Sequence, residues 1–346
     1  MKFTFPIITL SIGGAQRMLA ELVNGLTDRG HEVTILMPRA GIVEFPIKAE
    51  IIRTRQLDYV EVDEFPPSDV IVSNYFTLVS GSQVASERGK GVHIRLSLCY
   101  EPAFLPDNHL TFRTYHHTRN LLVLSKWQQQ LIHLLHGVMG HIVPVGLSPA
   151  FHNQHLRESR NQLQISAILR KPEWGHVWHR EQDYLLHHLQ LIKAQYPHVQ
   201  INIFTPPTEF ATSPYIQSLS KQYPFRFIQP ADDQAMCKHY NESDIFVSSS
   251  TYDTAQIPGL EAMRCGASLV TTYAGGNMDY CRNEENCLLS YRYENNLSDQ
   301  IRRLIEDPSL RKKLAQAGEK ESMKWTWDRS LNEFEKAVYA ITGKRL

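Results

Sequence analysis

No run of the chain reaches the roughly 18 consecutive apolar residues that span a bilayer, so no transmembrane helix is expected. The opening MKFTFPIITLSIGG has one basic residue and a short apolar run, but glycines stand where a signal peptide would continue, so it does not read as a secretory leader. Cysteine is scarce. Five residues, Cys99, Cys237, Cys265, Cys281 and Cys287, contain no CxxC pair and are odd in number, which argues against a disulfide scaffold and for a reducing, cytoplasmic compartment. Net charge is absent too: 36 basic residues balance 36 acidic ones, 13 against 13 in the first 150 residues and 23 against 23 in the rest. Without a global basic field, no nucleic-acid partner is expected. The adjacent pairs His116-His117 and His187-His188 lie outside any HExxH frame and no DxD pair ends a strand, so no metal site is expected.

What is present is enough for two globular domains. At 346 residues and 42% hydrophobic content, the chain exceeds the usual size of one domain and has apolar material for two cores. Residues 3–10, FTFPIITL, read as a strand that runs into Gly13 and Gly14. From Ala15 to Asp28, Met18, Leu19, Leu22, Val23 and Leu26 recur at helical spacing, Gly30 stops the helix, and HEVTILM resumes a strand. Such units build parallel sheets with right-handed crossovers. Further strands are expected at 70–75, 91–99, 120–125 and 141–146, with a helix capped by Ser125 and Gln128 and ended near Gly137. The pattern restarts with strands at 164–169, 199–204, 225–230, 244–250 and 268–272 and a helix around 180–195. The polar segment 148–162 is the expected division, Pro308 opens a late helix, and an amphipathic helix ends the chain.

Three constellations can carry chemistry. At Ser11, Ile12, Gly13 and Gly14 the backbone is free of side chains and opens a helix, which suits an anion, although the spacing is not GxGxxG. Residues 244–279 end a strand in three serines, carry Asp253 in a loop, and open a helix at Pro258 and Gly259 with Glu261 in its first turn. Two carboxylates there accept hydroxyl hydrogen bonds from a polyol, while the amides near Gly259 and Leu260, with Ile257 and Pro258 beside them, suit a phosphate. Structural roles remain open: a tight turn for Gly13 and Gly14, and a favourable helix-start charge for Glu261. Arg170 and Lys171 follow the strand ISAIL, where open α/β sheets bind ligands, and the planar guanidinium of Arg170 suits a diphosphate.

In order along the chain, GGAQRMLAELVNGLTDRGHEVTIL, SDIFVSSSTYDTAQIPGLEAMRCGASLVTT, AGGNMDYCRNEENCLLS and DPSLRKKLAQAG resemble the signatures of glycosyltransferase family 4, which has the GT-B fold. CYEPAF and LVLSKWQQQLI resemble a branch acting on surface polysaccharides. The resemblance implies an α/β architecture of two Rossmann-like domains with parallel sheets facing across a cleft. Residues 1–150 would form the acceptor side, 151–325 the nucleotide-sugar domain, and 326–346 a helix packing back on the first. It implies a retaining transfer of a hexose-type sugar from a nucleoside diphosphate sugar to a glycan, lipid-linked or small-molecule acceptor, without metal.

By the same resemblance Glu261 would hold the ribose hydroxyls, Asp253 would touch the donor sugar, Gly13 and Gly14 would lie against the diphosphate, and Arg170 would stabilise the leaving phosphate. Two departures stand out. Asp253 replaces a glutamate. The lysine that relatives carry just before a glycine is matched here by Trp174 before Gly175, leaving Lys171 as a substitute. Glu101 in SLCYEPAF contacts or orients an acceptor hydroxyl, or is a loop charge. The segment 125–137 leaves peripheral contact with the inner face of a membrane open. Two other functions stay open: a non-catalytic nucleotide-sugar or polysaccharide-binding protein of the same fold, and a nucleotide-sugar epimerase.

Overall fold

The computed structural model describes residues 1–159, 162–173, 175 and 177–344. The chain forms two compact units, Met1–Gly146 with Thr326–Leu346, and Leu147–Trp325.

The first unit contains β1 (Lys2–Pro6), α1 (Gly14–Asp28), β2 (Glu32–Met37), β3 (Glu50–Arg53), β4 (Val70–Ser73), α2 (Phe76–Glu87), β5 (Val92–Ser97), α3 (Glu101–Phe104), α4 (Asn108–Thr114), β6 (Leu121–Val123), α5 (Lys126–His136) and β7 (His141–Ile142). Its seven strands are all parallel in the order β3-β2-β1-β4-β5-β6-β7. The strands are apolar on both faces because helices cover both, as a parallel sheet requires. Helix α1 buries the expected stripe, Met18, Leu19, Leu22, Val23 and Leu26, and the chain leaves it through Gly30 at φ +85°. Ser125 caps α5 by accepting from the Gln128 amide at 3.2 Å, and Gly137 at φ +68° ends it. The reciprocal arm of the expected capping box reaches one residue further back, the Leu124 amide donating to Gln128 Oε1 at 2.8 Å.

The second unit contains β8 (Gln164–Ile168), α6 (Gln182–Gln195), β9 (Gln200–Phe204), α7 (Pro207–Thr212), α8 (Pro214–Gln222), β10 (Arg226–Ile228), α9 (Asp233–Asn241), β11 (Ile245–Ser248), α10 (Ile257–Arg264), β12 (Ser268–Thr272), β13 (Leu288–Ser290), α11 (Leu297–Glu306) and α12 (Pro308–Ser322). The parallel order β10-β9-β8-β11-β12-β13 reverses direction at β8 and β11, the point where open α/β sheets bind ligands. Its core joins Ile165 and Ala167 of β8, Val247 of β11 and Val270 of β12 to Leu185, Leu189 and Ile192 of α6 and to Ile301 and Leu304 of α11. Each such side chain contributes about 1.5 to 3 kcal/mol on full burial.

The last helix, α13 (Trp327–Thr342), belongs to the first unit. Leu331 fills the space beside Gly25, Phe334 stacks on Phe5 at 6.3 Å, and Arg29 bridges Asp328 and Glu335 at 2.5 Å each. The polar segment 148–162 belongs to the second unit rather than forming a neutral linker. His152 O accepts from Asn241 Nδ2 at 2.8 Å, and Arg157 Nη2 donates to Cys265 O at 2.6 Å.

Candidate functional site

The loop after β11 carries most of the candidates. The Asp253 amide donates to Ala274 O at 2.8 Å and Asp253 O accepts from the Gly276 amide at 2.9 Å, so the loop after β12 is stitched to it. A side chain at Gly276 would lie 1.8 Å from Thr254 O, which accounts for glycine in that turn. Asp253 Oδ1 accepts from the Ala255 and Gln256 amides at 3.1 and 2.7 Å, leaving Oδ2 as the oxygen not engaged in the turn. Gln256 stands in the left-handed region at φ +49°; its side chain donates to Ser248 Oγ at 2.8 Å and accepts from Thr271 Oγ1 at 3.0 Å.

Helix α10 therefore starts at Ile257 on a rigid base, with no side chain capping it. Ile257 and Pro258 are half-buried, whereas Leu260 is in the core. Gly259 has a packing reason, because an added Cβ would come within 2.7 Å of the Tyr280 hydroxyl. Glu261, half-buried, accepts from the Tyr240 hydroxyl at 3.1 Å on Oε2.

The two cations behave differently from expectation. Arg170 does follow β8, but Glu209 of α7 takes its guanidinium: Nε donates at 2.8 and 3.0 Å and Nη2 at 2.5 Å. The Lys171 amide donates to the same carboxylate at 2.8 Å, and Lys171 Nζ turns to Thr212 Oγ1 at 3.2 Å. Trp174 lies outside the described residues.

A third cation was missed. Arg180 stands two residues before α6, and its carbonyl accepts from Ser249 Oγ at 2.6 Å, which ties it to the Asp253 loop. Two residues on, Gln182 clamps the Arg170 backbone, accepting from its amide at 2.6 Å and donating to its carbonyl at 3.0 Å. The Arg180 guanidinium is half-buried and makes no hydrogen bond or ion pair among the described residues. Burial holds it below the usual arginine range, opposed by Asp253 and reinforced by Arg170. A buried guanidinium that no side chain hydrogen-bonds is costly unless an anion completes it. Arg180 precedes Glu181, which stands at φ +50° in the backbone region that favours glycine, and no local spacing in the sequence marks it.

In the first unit, Gly13 is extended at φ −178° and sits before α1, which has no side-chain cap and no acid in its first turn; Gly14 is exposed. Glu101 is 3% exposed. It pairs with Arg95 and accepts from the Tyr115 hydroxyl at 3.2 Å, while Arg95 donates to Thr114 Oγ1 at 2.8 Å and lies 3.6 Å over the Tyr115 ring. Its carboxylate is spent on fixing α3 to the sheet, so the direct contact with an acceptor hydroxyl expected of it has no exposed oxygen to make it. Among the described residues no three His, Cys, Asp or Glu side chains are gathered as a metal would need, and no helix is long and apolar enough to cross a membrane.

Residues 176–321 match a family model described as "Glycosyl transferases group 1". A search of curated proteins gave no match. Among solved structures, sucrose-phosphate synthase of Thermosynechococcus elongatus is similar at a TM-score of 0.82 and 15% identity over 99% of each chain. HepE of Anabaena, in complex with UDP-glucose, gives 0.77 and 16% over 99% of this chain and 100% of that one. WaaG, a glycosyltransferase involved in lipopolysaccharide biosynthesis, gives 0.74 and 15% over 99% and 100%. The chain thus has the GT-B fold of two Rossmann-like units, and residues 176–321 of its second unit are similar to the glycosyl transferases group 1 model.

Proposed function

We propose that the protein transfers a hexose-type sugar from a nucleoside diphosphate sugar, with retention, to a glycan, lipid-linked or small-molecule acceptor. The observation that carries this reading is Arg180. An unpaired, half-buried guanidinium stands at the reversal point of the second sheet, beside the Asp253 loop and in the field of Arg170 and Tyr240. That is the chemistry of a diphosphate site: fixed cations and the positive end of α10, which no side chain caps, stabilise charge as the nucleoside diphosphate departs. Glu261, oriented by Tyr240, suits the ribose hydroxyls, and the remaining oxygen of Asp253 suits the donor sugar. Arg170 adds positive potential while Glu209 holds it in place. Gly13 and Gly14 remain a proposed diphosphate contact from the first unit, and Glu101 acts by positioning α3. No step in this scheme calls for a metal. HepE, crystallised with UDP-glucose, makes that donor the first to test. The experiment is incubation with UDP-glucose and an acceptor panel, with product mass and anomeric configuration read by mass spectrometry and NMR. Absence of both UDP release and UDP binding overturns the proposal.

One observation favours a second reading, a donor-binding protein without turnover: Glu209 neutralises Arg170, and Asp253 spends one oxygen on its own loop. Calorimetric binding of UDP-glucose with no release across the panel would select it.

We place the protein in the cytoplasm, supported by its free thiols, with peripheral attachment to the membrane. Leu134 is 81% and Met139 56% exposed at the end of α5, beside exposed His133. Apolar side chains in that setting suit an interfacial contact. Co-sedimentation with acidic liposomes tests it, and a protein that stays in the supernatant removes it.

A further inference from the structure

Three tyrosines stand together just beyond the C-terminal ends of β12 and β13. Tyr273 and Tyr291 have ring centroids 6.4 Å apart with planes at 26°, and Tyr291 and Tyr293 are 5.7 Å apart at 29°. Tyr273 is 46% exposed and Tyr293 83%. None of the three hydroxyls makes a hydrogen bond among the described residues. Two exposed rings stacked on a half-buried third, with none of the three hydroxyls bonded, add little to the core.

The mount beneath them is rigid. Arg292, between Tyr291 and Tyr293, is drawn to the other side: its guanidinium lies 3.5 Å over the Tyr184 ring and donates to Glu181 at 3.0 Å. The turn is closed by the Glu294 amide donating to Tyr291 O at 3.0 Å and by Asn296, which accepts from Ser290 Oγ at 2.8 Å and donates to Glu294 at 2.7 Å. Tyr273 adjoins Ala274, the residue that anchors the Asp253 amide. The row therefore begins beside the candidate donor site and runs to the edge strand.

We infer that Tyr273, Tyr291 and Tyr293 form a platform for a neutral glycan chain. Pyranose rings have C–H faces and hydroxyl edges, which match an apolar ring bearing a polar tip, and tyrosine offers this at little entropic cost. Charge selects the occupant. A nucleic acid needs free cations, but the one arginine in the turn is committed to Glu181 and its neighbour is Glu294. A helix-binding groove needs exposed aliphatic side chains, and YRYENN has none. The choice of carbohydrate rests on the sugar-transfer reading, and the platform would hold the acceptor or the lengthened product.

The test is native affinity electrophoresis of the full chain in gels containing glycogen, hydroxyethyl cellulose or a galactomannan, with Tyr293→Ala and the double variant Tyr291→Ala/Tyr293→Ala alongside. Retardation by at least one glycan is expected, weakened about five-fold or more in the double variant and partly in Tyr293→Ala, whose exposed position leaves folding intact. No retardation in any gel, or equal retardation of wild type and double variant, overturns the platform. So does a dimer seen by gel filtration that the double variant abolishes without any glycan effect, since the rings would then serve a second copy. Titration of the wild-type protein with UDP reads the transferase proposal separately. A protein that binds UDP but no glycan loses the platform alone, and one that binds glycan but no UDP loses the transferase reading alone.

Discussion

Tyr240 donates its hydroxyl to Glu261 across 3.1 Å, joining α9 to α10, where Glu261 stands one residue past the first turn that the sequence predicts for it. Burial, then the Glu261 charge, pushes the phenol well above its ordinary range, so it stays a donor at any working pH. Glu261 is thereby aimed before any ligand arrives.

Glu261→Gln should keep the fold and weaken UDP-glucose binding by about 10- to 100-fold, the equivalent of a charged hydrogen bond worth about 1.5 to 3 kcal/mol. Tyr240→Phe should give a smaller loss in the same direction. Calorimetry measures both, and ordinary affinity in Glu261→Gln removes that residue from the site.

Arg170 and Arg180 should separate by stability. Arg170→Ala leaves Glu209 with only the Lys171 amide and should lower stability by about 1 to 3 kcal/mol as well as the transfer rate. Arg180→Gln removes a charge with no partner among the described residues, so Tm should hold or rise while UDP affinity and turnover fall. Thermal melts with steady-state kinetics decide, and a fall in Tm without a kinetic effect in Arg180→Gln would make it a structural residue.

Glu101→Ala should destabilise the first unit by about 3 to 5 kcal/mol, because Arg95, 1% exposed, is left as a buried unpaired charge. Urea unfolding measures this. A change below 1 kcal/mol would show that the pair is dispensable and return Glu101 to the acceptor question.

His93 gives a pH signature. Desolvation, then the charges of Arg95 and His117, lowers it from 6.5 to about 3, between Ser73 Oγ at 2.8 Å and Gln83 Oε1 at 2.9 Å. The folded state holds it neutral while the unfolded chain takes a proton below 6.5. Stability is therefore full above pH 6.5 and declines from there toward pH 3. Tm measured from pH 7 to pH 5 should fall, and His93→Gln should flatten the fall; parallel curves would refute the assignment.

The strands legible as apolar runs, such as SLVTT at 268–272, were found because both faces of a parallel strand are buried and the run is continuous. Strand β3, EIIR, was not: it is an edge strand of four residues with only two apolar positions. Helices α3, α4 and α7 are too short for a periodic signal. Pro308 was readable as the start of α12 because proline fits the first helical position, where no amide donor is needed.

The sequence by itself determined two α/β units, the glycine turns and the loop that carries Asp253 and Glu261, since these follow from spacing and backbone freedom within a few residues. Only the tertiary structure decided which cation is free. Glu209 reaches Arg170 from 39 positions away, Ser249 holds Arg180 from 69, and Arg95 draws Glu101 out of solvent. Sheet order brings those partners together, and a local pattern does not record it. The chain's zero net charge is compatible with an anion site for that reason: what matters is one guanidinium whose neighbours are taken by others.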